Sequence, residues 1–283
     1  MNGPVPSKTV RELIQVTAPY LEEKGVESSR LNAERLLADV LGLTRIELYF
    51  QHDRPVMGDE LDRYRELVRR RAGGEPLQQI LGETEFYSRT FKVEKGVFIP
   101  RPETERLVEA CTEILAPGDR NLVAPLAVEV GCGTGIVGIT LALELPRLTV
   151  HATDVNPKAV DLAARNAHLL GCDVRMHFHQ GNRLDPVPDH LKGTVDLLVS
   201  NPPYIPTDEI PDLSAEVADH DPRDALDGGP DGLNVYRALA AEMADWVRPG
   251  GHVAVEIGFD QGPQVAEIFT ASGAEDVATI QDY

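Results

Sequence analysis

The chain lacks most of what would mark an exported, membrane-bound or nucleic-acid-coating protein. Its three cysteines, Cys111, Cys132 and Cys172, are spread through 283 residues, too few and too scattered for a disulfide framework or a Cys-based zinc site. They are expected to be reduced and packed. No uninterrupted apolar run approaches the roughly 20 residues of a membrane span, and the N-terminal MNGPVPSKTVREL lacks the basic-then-apolar layout of a signal peptide. A cytoplasmic protein with no membrane partner is the expectation. Metal ligands are scarce too. His177 and His179 alternate on an expected strand, but no carboxylate or further histidine stands at a supporting spacing, so a plain strand surface is expected and no metal. Basic residues are also short, with 27 Lys and Arg against 46 Asp and Glu for a net charge of −19. Residues 1–80 are nearly balanced, 12 against 13, and the remainder carries 15 against 33. Phosphate contacts need clustered cations, so no direct nucleic-acid substrate is expected.

With 42% hydrophobic and 26% charged residues, the chain can bury a large core, in one large or two smaller domains. The first eighty residues read as helices. Thr9-x-x-Glu12 fits a capping box, and Val10, Leu13, Ile14, Ala18 and Leu21 recur at helical spacing until Gly25. A second segment carries Leu31, Ala33, Leu36, Leu37, Val40 and Leu41 and stops at Gly42; a third runs from about Gly58 to Ala72. Arg69-Arg70-Arg71 suits that helix's C-terminal dipole. Beyond Gly73 the pattern changes. Residues 85–93 read as a strand, residues 96–100 as its hairpin partner, and Arg101-Pro102-Glu103-Thr104-Glu105 as a helix start with proline in the first turn and acids near the positive dipole end.

From Leu126 strands and helices alternate. Strands are expected at 126–130, 148–152, 174–178, 195–199 and 252–257, and helices near 135–145, 156–170, 232–247 and 261–272. That alternation predicts an α/β fold, a mostly parallel, doubly wound sheet covered on both faces. Ligands in such sheets bind at the C-terminal strand ends, at the topological switch point.

Two of those strand ends carry chemistry. The fourth strand runs into Asn201-Pro202-Pro203-Tyr204. Two prolines stop both helix and ladder, exposing the Asn201 side-chain carbonyl and the Pro202 backbone carbonyl beside the Tyr204 ring. Two adjacent carbonyls suit a planar NH2 group. An amide nitrogen is a poor nucleophile, and accepting both its hydrogens orients the lone pair and stabilises the positive charge that develops on alkylation. A plain loop is the structural alternative for the tetrapeptide taken alone. The first strand ends in Glu129-Val-Gly131-Cys132-Gly133-Thr134-Gly135. Its glycines permit close backbone approach, but Ile136 breaks the GxGxxG spacing of a dinucleotide fingerprint. The shorter GxGxG after an acid suits S-adenosylmethionine. Asp154 closes the next strand, where a carboxylate can take both ribose hydroxyls, and Asn182 and Arg183 follow the third, where adenine would lie.

Residues 129–135, Asp154 and Asn201 to Tyr204 resemble the class I S-adenosylmethionine-dependent methyltransferases that modify a planar nitrogen. More narrowly, residues 74–82, 98–105 and 225–233 are similar to the release factor glutamine methyltransferases, the PrmC/HemK family, with Arg101 to Glu105 the most specific piece. The resemblance implies a Rossmann-like methyltransferase domain over 105–283, a substrate-recruiting helical domain over 1–73 and a linker with a β-hairpin over 74–104. It implies methyl transfer to the glutamine side-chain nitrogen of the Gly-Gly-Gln motif in class I peptide chain release factors, leaving S-adenosylhomocysteine. Asn201 and Pro202 would hold the amide hydrogens, with Pro203 and Tyr204 against the substrate. A monomer is expected. Another protein glutamine, such as one on a ribosomal protein, or a nucleic-acid exocyclic amine remains the alternative acceptor, and a scaffold that kept the fold is a third reading. Two departures from the family pattern stand out. Asn182 occupies a position that is usually acidic, and the chain stops at Tyr283, soon after an expected strand near 278–280, where the family tends to add a further antiparallel strand.

Overall fold

The structure, a computed structural model, describes residues 8–116 and 124–281; expectations on the first seven residues and on Tyr283 fall outside them. The chain divides into two compact units, Met1–Gly82 and Glu83–Tyr283. The segment 74–104, expected as a linker, is shared between them at Gly82 and Glu83.

The first unit contains β1 (Lys8–Thr9), α1 (Val10–Glu23), α2 (Ser29–Leu41), α3 (Arg45–Phe50), β2 (Pro55–Val56), α4 (Asp59–Ala72) and α5 (Leu77–Leu81). Helix α1 starts at a capping box: Glu12 N–H donates to Thr9 Oγ1 at 3.3 Å, and Thr9 N–H donates to the Glu12 carboxylate at 2.8 Å. Its periodic apolar residues, Val10, Leu13 and Leu21, are buried with Leu36, Leu37 and Tyr64. Gly42 closes α2 at φ +64, a left-handed position that suits glycine. Helix α3 was signalled by Thr44-x-x-Glu47, the same box as at Thr9, but six residues are too few for an apolar period. Arg71 does more than complement a dipole. It is buried, donating to Asn32 Oδ1 at 2.8 Å and to the Glu75 carbonyl at 3.0 Å.

The second unit opens with a hairpin, β3 (Glu83–Phe86) and β4 (Arg89–Lys92), and then α6 (Glu105–Leu115). There follow β5 (Leu126–Val130), α7 (Ile136–Glu144), β6 (Thr149–Asp154), α8 (Pro157–Leu169), β7 (Met176–Gln180), β8 (Val195–Ser200), α9 (Ala215–Ala218), α10 (Asn234–Trp246), β9 (Val247–Val255) and α11 (Gly262–Ala271). The five strands β5 to β9 form one parallel sheet in the order β7-β6-β5-β8-β9. Every residue of β8 is buried, as a strand covered on both faces requires. Leu197 and Val199 pack with residues of α6, α7 and α8, while Val195 and Leu198 pack with residues of α10 and α11. The buried Asp196 accepts the Leu126 N–H at 2.8 Å and pairs with Arg248 at 2.5 Å.

The chain leaves β5 outward through β6 and β7, then returns to the other side of β5 for β8 and β9. The switch point therefore lies between β5 and β8, and the register Val130 opposite Ser200 brings their ends level. No helix among the described residues is long and apolar enough to cross a membrane.

Three sequence expectations are corrected. The hairpin pairs Glu83–Phe86 with Arg89–Lys92, not residues 85–93 with 96–100. Its turn residues Tyr87 and Ser88 have φ of +50 and +58, positions normally signalled by Asn or Gly. Residues 96–100 are no strand; Val97 is buried against Ala159 and Leu162. Strand β9 begins at Val247 rather than His252, because Val247 pairs with Val195 before the register shifts. Residues 278–280 form no strand, and among the described residues β9 is the last strand on its side of the sheet.

Candidate active site

The ends of β5 and β8 are built by opposite means. After β5 the chain turns back on itself, and Gly131 and Cys132 both donate to the Thr153 carbonyl at 2.9 Å. Gly133 N–H donates to Asp154 Oδ2 at 2.9 Å, while Asp154 Oδ1 accepts the Asn156 N–H at the same distance. Asp154 thus fixes the loop beside its own strand end and keeps its remaining lone pairs. Gly133 has φ +54, and a Cβ there would meet no protein atom within 4 Å. It borders open space. Gly135, by contrast, has no room: a Cβ would come within 2.7 Å of Ile139.

Glu129, at 2% exposure, closes the buried side. Its Oε2 accepts the Gly138 N–H at 3.1 Å and would lie 2.4 Å from a Cβ on that residue. Burial chiefly pushes its carboxyl up to about 8, with a further rise from the Asp154 charge, against the lowering bond from Gly138. Cys132 and Thr134 are buried as well; burial pushes the Cys132 thiol well up, so it is inert as a nucleophile.

At the end of β8, Ser200 Oγ donates to the Val130 carbonyl at 2.7 Å and ties the two strand ends together. Asn201 Nδ2 donates to Thr104 Oγ1 at 3.1 Å. Among the described residues neither Asn201 Oδ1 nor the Pro202 carbonyl accepts a hydrogen bond. Pro202 is buried, and Pro203 and Tyr204 are half-buried. The Tyr204 carbonyl accepts from Gln261 Nε2 at 2.8 Å, which pins the tetrapeptide from its far end. Burial raises the Tyr204 phenol, as does the Glu256 charge, and the ring stays neutral. Beyond it, Ile205 and Asp227 form a parallel bridge, and Thr207 Oγ1 donates to Asp227 at 2.6 Å.

Of the remaining residues singled out in the sequence, His177 and His179 lie within β7, and Asn182 and Arg183 follow its end. Asn182 is exposed, and its side chain makes no hydrogen bond among the described residues. Arg183 is engaged elsewhere, donating through Nε to Glu242 at 2.8 Å. His177 and His179 are joined by His151 on the neighbouring strand, with His151 Nδ1 3.0 Å from His179 Nε2. Neither these three nor any other group of three or more His, Cys, Asp or Glu side chains among the described residues is arranged to hold a metal ion.

The family described as PrmC N-terminal domain matches residues 12–82, and that described as methyltransferase small domain matches residues 89–219. A release factor glutamine methyltransferase of Geobacter sulfurreducens is 41% identical over 97% of this chain and 93% of its own length. Those of Chlorobaculum tepidum and Moorella thermoacetica are 41% and 43% identical, over 97% and 94% of this chain and 94% and 91% of their own. The chain belongs to the release factor glutamine methyltransferases. Its cofactor is S-adenosylmethionine, and the loop fits it: open space stands before Gly133, with a carboxylate at Asp154 beside it.

Three contributors had no reading of their own in the sequence. Gly138 makes room for Glu129; its signal was a glycine inside a helical pattern. Asn166, 1% exposed, accepts the Lys92 N–H at 2.9 Å and donates to the carbonyls of Lys92 and Thr134 at 3.1 and 2.9 Å, joining hairpin, loop and α8. Thr104 lies 97 residues from its partner Asn201, a separation that no local pattern encodes.

Proposed function

We propose that this chain transfers a methyl group from S-adenosylmethionine to the side-chain amide nitrogen of the glutamine in the Gly-Gly-Gln motif of class I peptide chain release factors, and so modulates translation termination. One observation carries the assignment of the site. Asn201 Oδ1 and the Pro202 carbonyl are two acceptors at a strand end with no protein donor, beside a loop that fits the cofactor. A planar NH2 has two hydrogens to give and matches them.

The cofactor supplies an electrophilic methyl on a sulfonium. The protein holds the amide. With both N–H bonds accepted, the nitrogen lone pair turns away from the acceptors, and the positive charge of alkylation develops against two carbonyl dipoles already in place. Proline at 202 has no N–H, so it brings no donor of its own to that position. Tyr204 bounds the acceptor site as a neutral ring. The alkylated nitrogen sheds its extra proton to water, and no side chain is assigned as base. Gly131, Cys132, Gly133, Thr134 and Gly135 shape the loop that would hold the cofactor, and Glu129 supports it; Asp154 would accept the ribose hydroxyls, and Asn182, with Arg183 held by Glu242 beside it, would border the adenine. The helical first unit recruits the release factor. The enzyme is a monomer and works in the cytoplasm.

A nucleic-acid amine is disfavoured by the 15 cations against 33 acids beyond residue 80. The test is to incubate the protein with methyl-labelled S-adenosylmethionine and a recombinant class I release factor, beside the same factor with Gly-Gly-Gln changed to Gly-Gly-Ala. Mass spectrometry should find the label on that glutamine and none in the control. Label elsewhere, or none with the cofactor bound, would overturn the substrate.

A further inference from the structure

The Arg101 to Glu105 run opens a helix, but capping accounts for little of it. Three of its side chains bond to three separate parts of the second unit. Arg101 donates to the buried Asp221 at 2.5 Å, in the long connection between β8 and α10. Glu105 accepts the Tyr87 N–H at 2.6 Å, in the hairpin turn. Thr104, fully buried at 0% exposure, accepts from Asn201 Nδ2 at 3.1 Å. The run is anchored on both sides of the threonine.

We infer that Thr104 is a positioning residue for methyl transfer: its hydroxyl holds the Asn201 side-chain amide so that Oδ1, and not Nδ2, faces the incoming substrate NH2. This rests on the proposed role of Asn201. The chemistry is one of sign. An asparagine amide presents an acceptor at one end and two donors at the other. Rotated by half a turn, it would oppose its own NH2 to the substrate NH2 and offer nothing to accept. A hydroxyl can donate or accept; here Thr104 Oγ1 accepts from Nδ2, which leaves Oδ1 unbonded, and a buried threonine between two anchors holds that arrangement with little freedom.

Thr104 touches neither reacting atom, so the cofactor should bind as before while turnover falls. Thr104→Val keeps shape and removes the hydroxyl; Thr104→Ala removes it without new apolar surface and serves as the second arm. Both should lower kcat on a recombinant class I release factor by about 10-fold to 100-fold, with calorimetric S-adenosylmethionine affinity within about twofold of wild type. Thr104→Ser, which retains the hydroxyl, should restore most of the rate. Placed in an Asn201→Ala background, Thr104→Val should cost nothing further, because the group it positions is gone. A wild-type kcat in both hydroxyl-free variants would overturn the positioning role, as would an equal loss in the Asn201→Ala background or a Thr104→Ser no better than valine. An Asn201→Ala enzyme at wild-type rate would instead overturn the amide-binding role beneath it, whatever the threonine variants do.

Discussion

The ends of β5 and β8 sit level in one sheet and are built by different means. At β5 the backbone donors are already used: Gly131, Cys132 and Gly133 give their N–H groups to Thr153 and Asp154. What that end offers is room. At β8 the offer is unmet valence, since Asn201 Oδ1 and the Pro202 carbonyl accept nothing among the described residues. In the proposed function a cofactor would be held by shape and a neighbouring carboxylate, whereas a reacting amide would be held by acceptors stiffened in advance. Changes at one end should therefore read as affinity, and changes at the other as rate.

The sharpest way to break the β5 side is Gly133→Val. At φ +54 a branched residue is strained, and its methyls would project into the open space before the loop. Calorimetry is expected to show no S-adenosylmethionine binding at concentrations that saturate the wild type; unchanged affinity would mean that the cofactor lies elsewhere. Asp154→Ala comes next. Loss of charged hydrogen bonds of about 1.5–3 kcal/mol should weaken cofactor binding about 10-fold to 100-fold, and a dissociation constant near wild type would remove Asp154 from the ribose.

Much of this was legible in advance because it is local. GxGxG after an acid, Asp154 closing the next strand and Asn-Pro-Pro-Tyr each sit at one strand end, where apolar periodicity locates them. The helix starts at Thr9 and Gly58 and the stop at Gly42 were readable from caps and glycine. Whatever depends on partners distant in sequence was not. Tyr87 and Ser88 adopt left-handed turn conformations with side chains that do not advertise them, so the hairpin register was misplaced. The role of Asn166 needs residues 92 and 134 brought to it, and the fate of Arg183 was set by Glu242, 59 residues away.

Asn166 offers a smaller effect that separates scaffold from site. Asn166→Ala would leave the buried Thr134 carbonyl and the part-buried Lys92 backbone groups without this partner, and urea unfolding should report a loss of about 1–3 kcal/mol. An undiminished midpoint would mean that water replaces the side chain. The subtlest effect concerns Glu129. Its carboxyl is raised from 4.5 to about 8 by burial first and the Asp154 charge second, so the folded protein holds a proton that the unfolded chain releases. Its stabilising contribution is complete below about pH 4.5 and disappears as pH rises through about 8. Glu129→Gln should flatten that decline in the cofactor-free protein, as thermal melts across this range would show. Parallel declines in both proteins would assign the slope to other groups.

The division between the two ends is tested most directly by Asn201→Ala, with cofactor affinity and single-turnover methyl transfer to a class I release factor measured on one preparation. Transfer should slow by about 10²–10³, as when one preorganised polar group is removed from a site, with S-adenosylmethionine affinity essentially unchanged. Transfer at the wild-type rate, or a loss of affinity as large as the loss of rate, would contradict it.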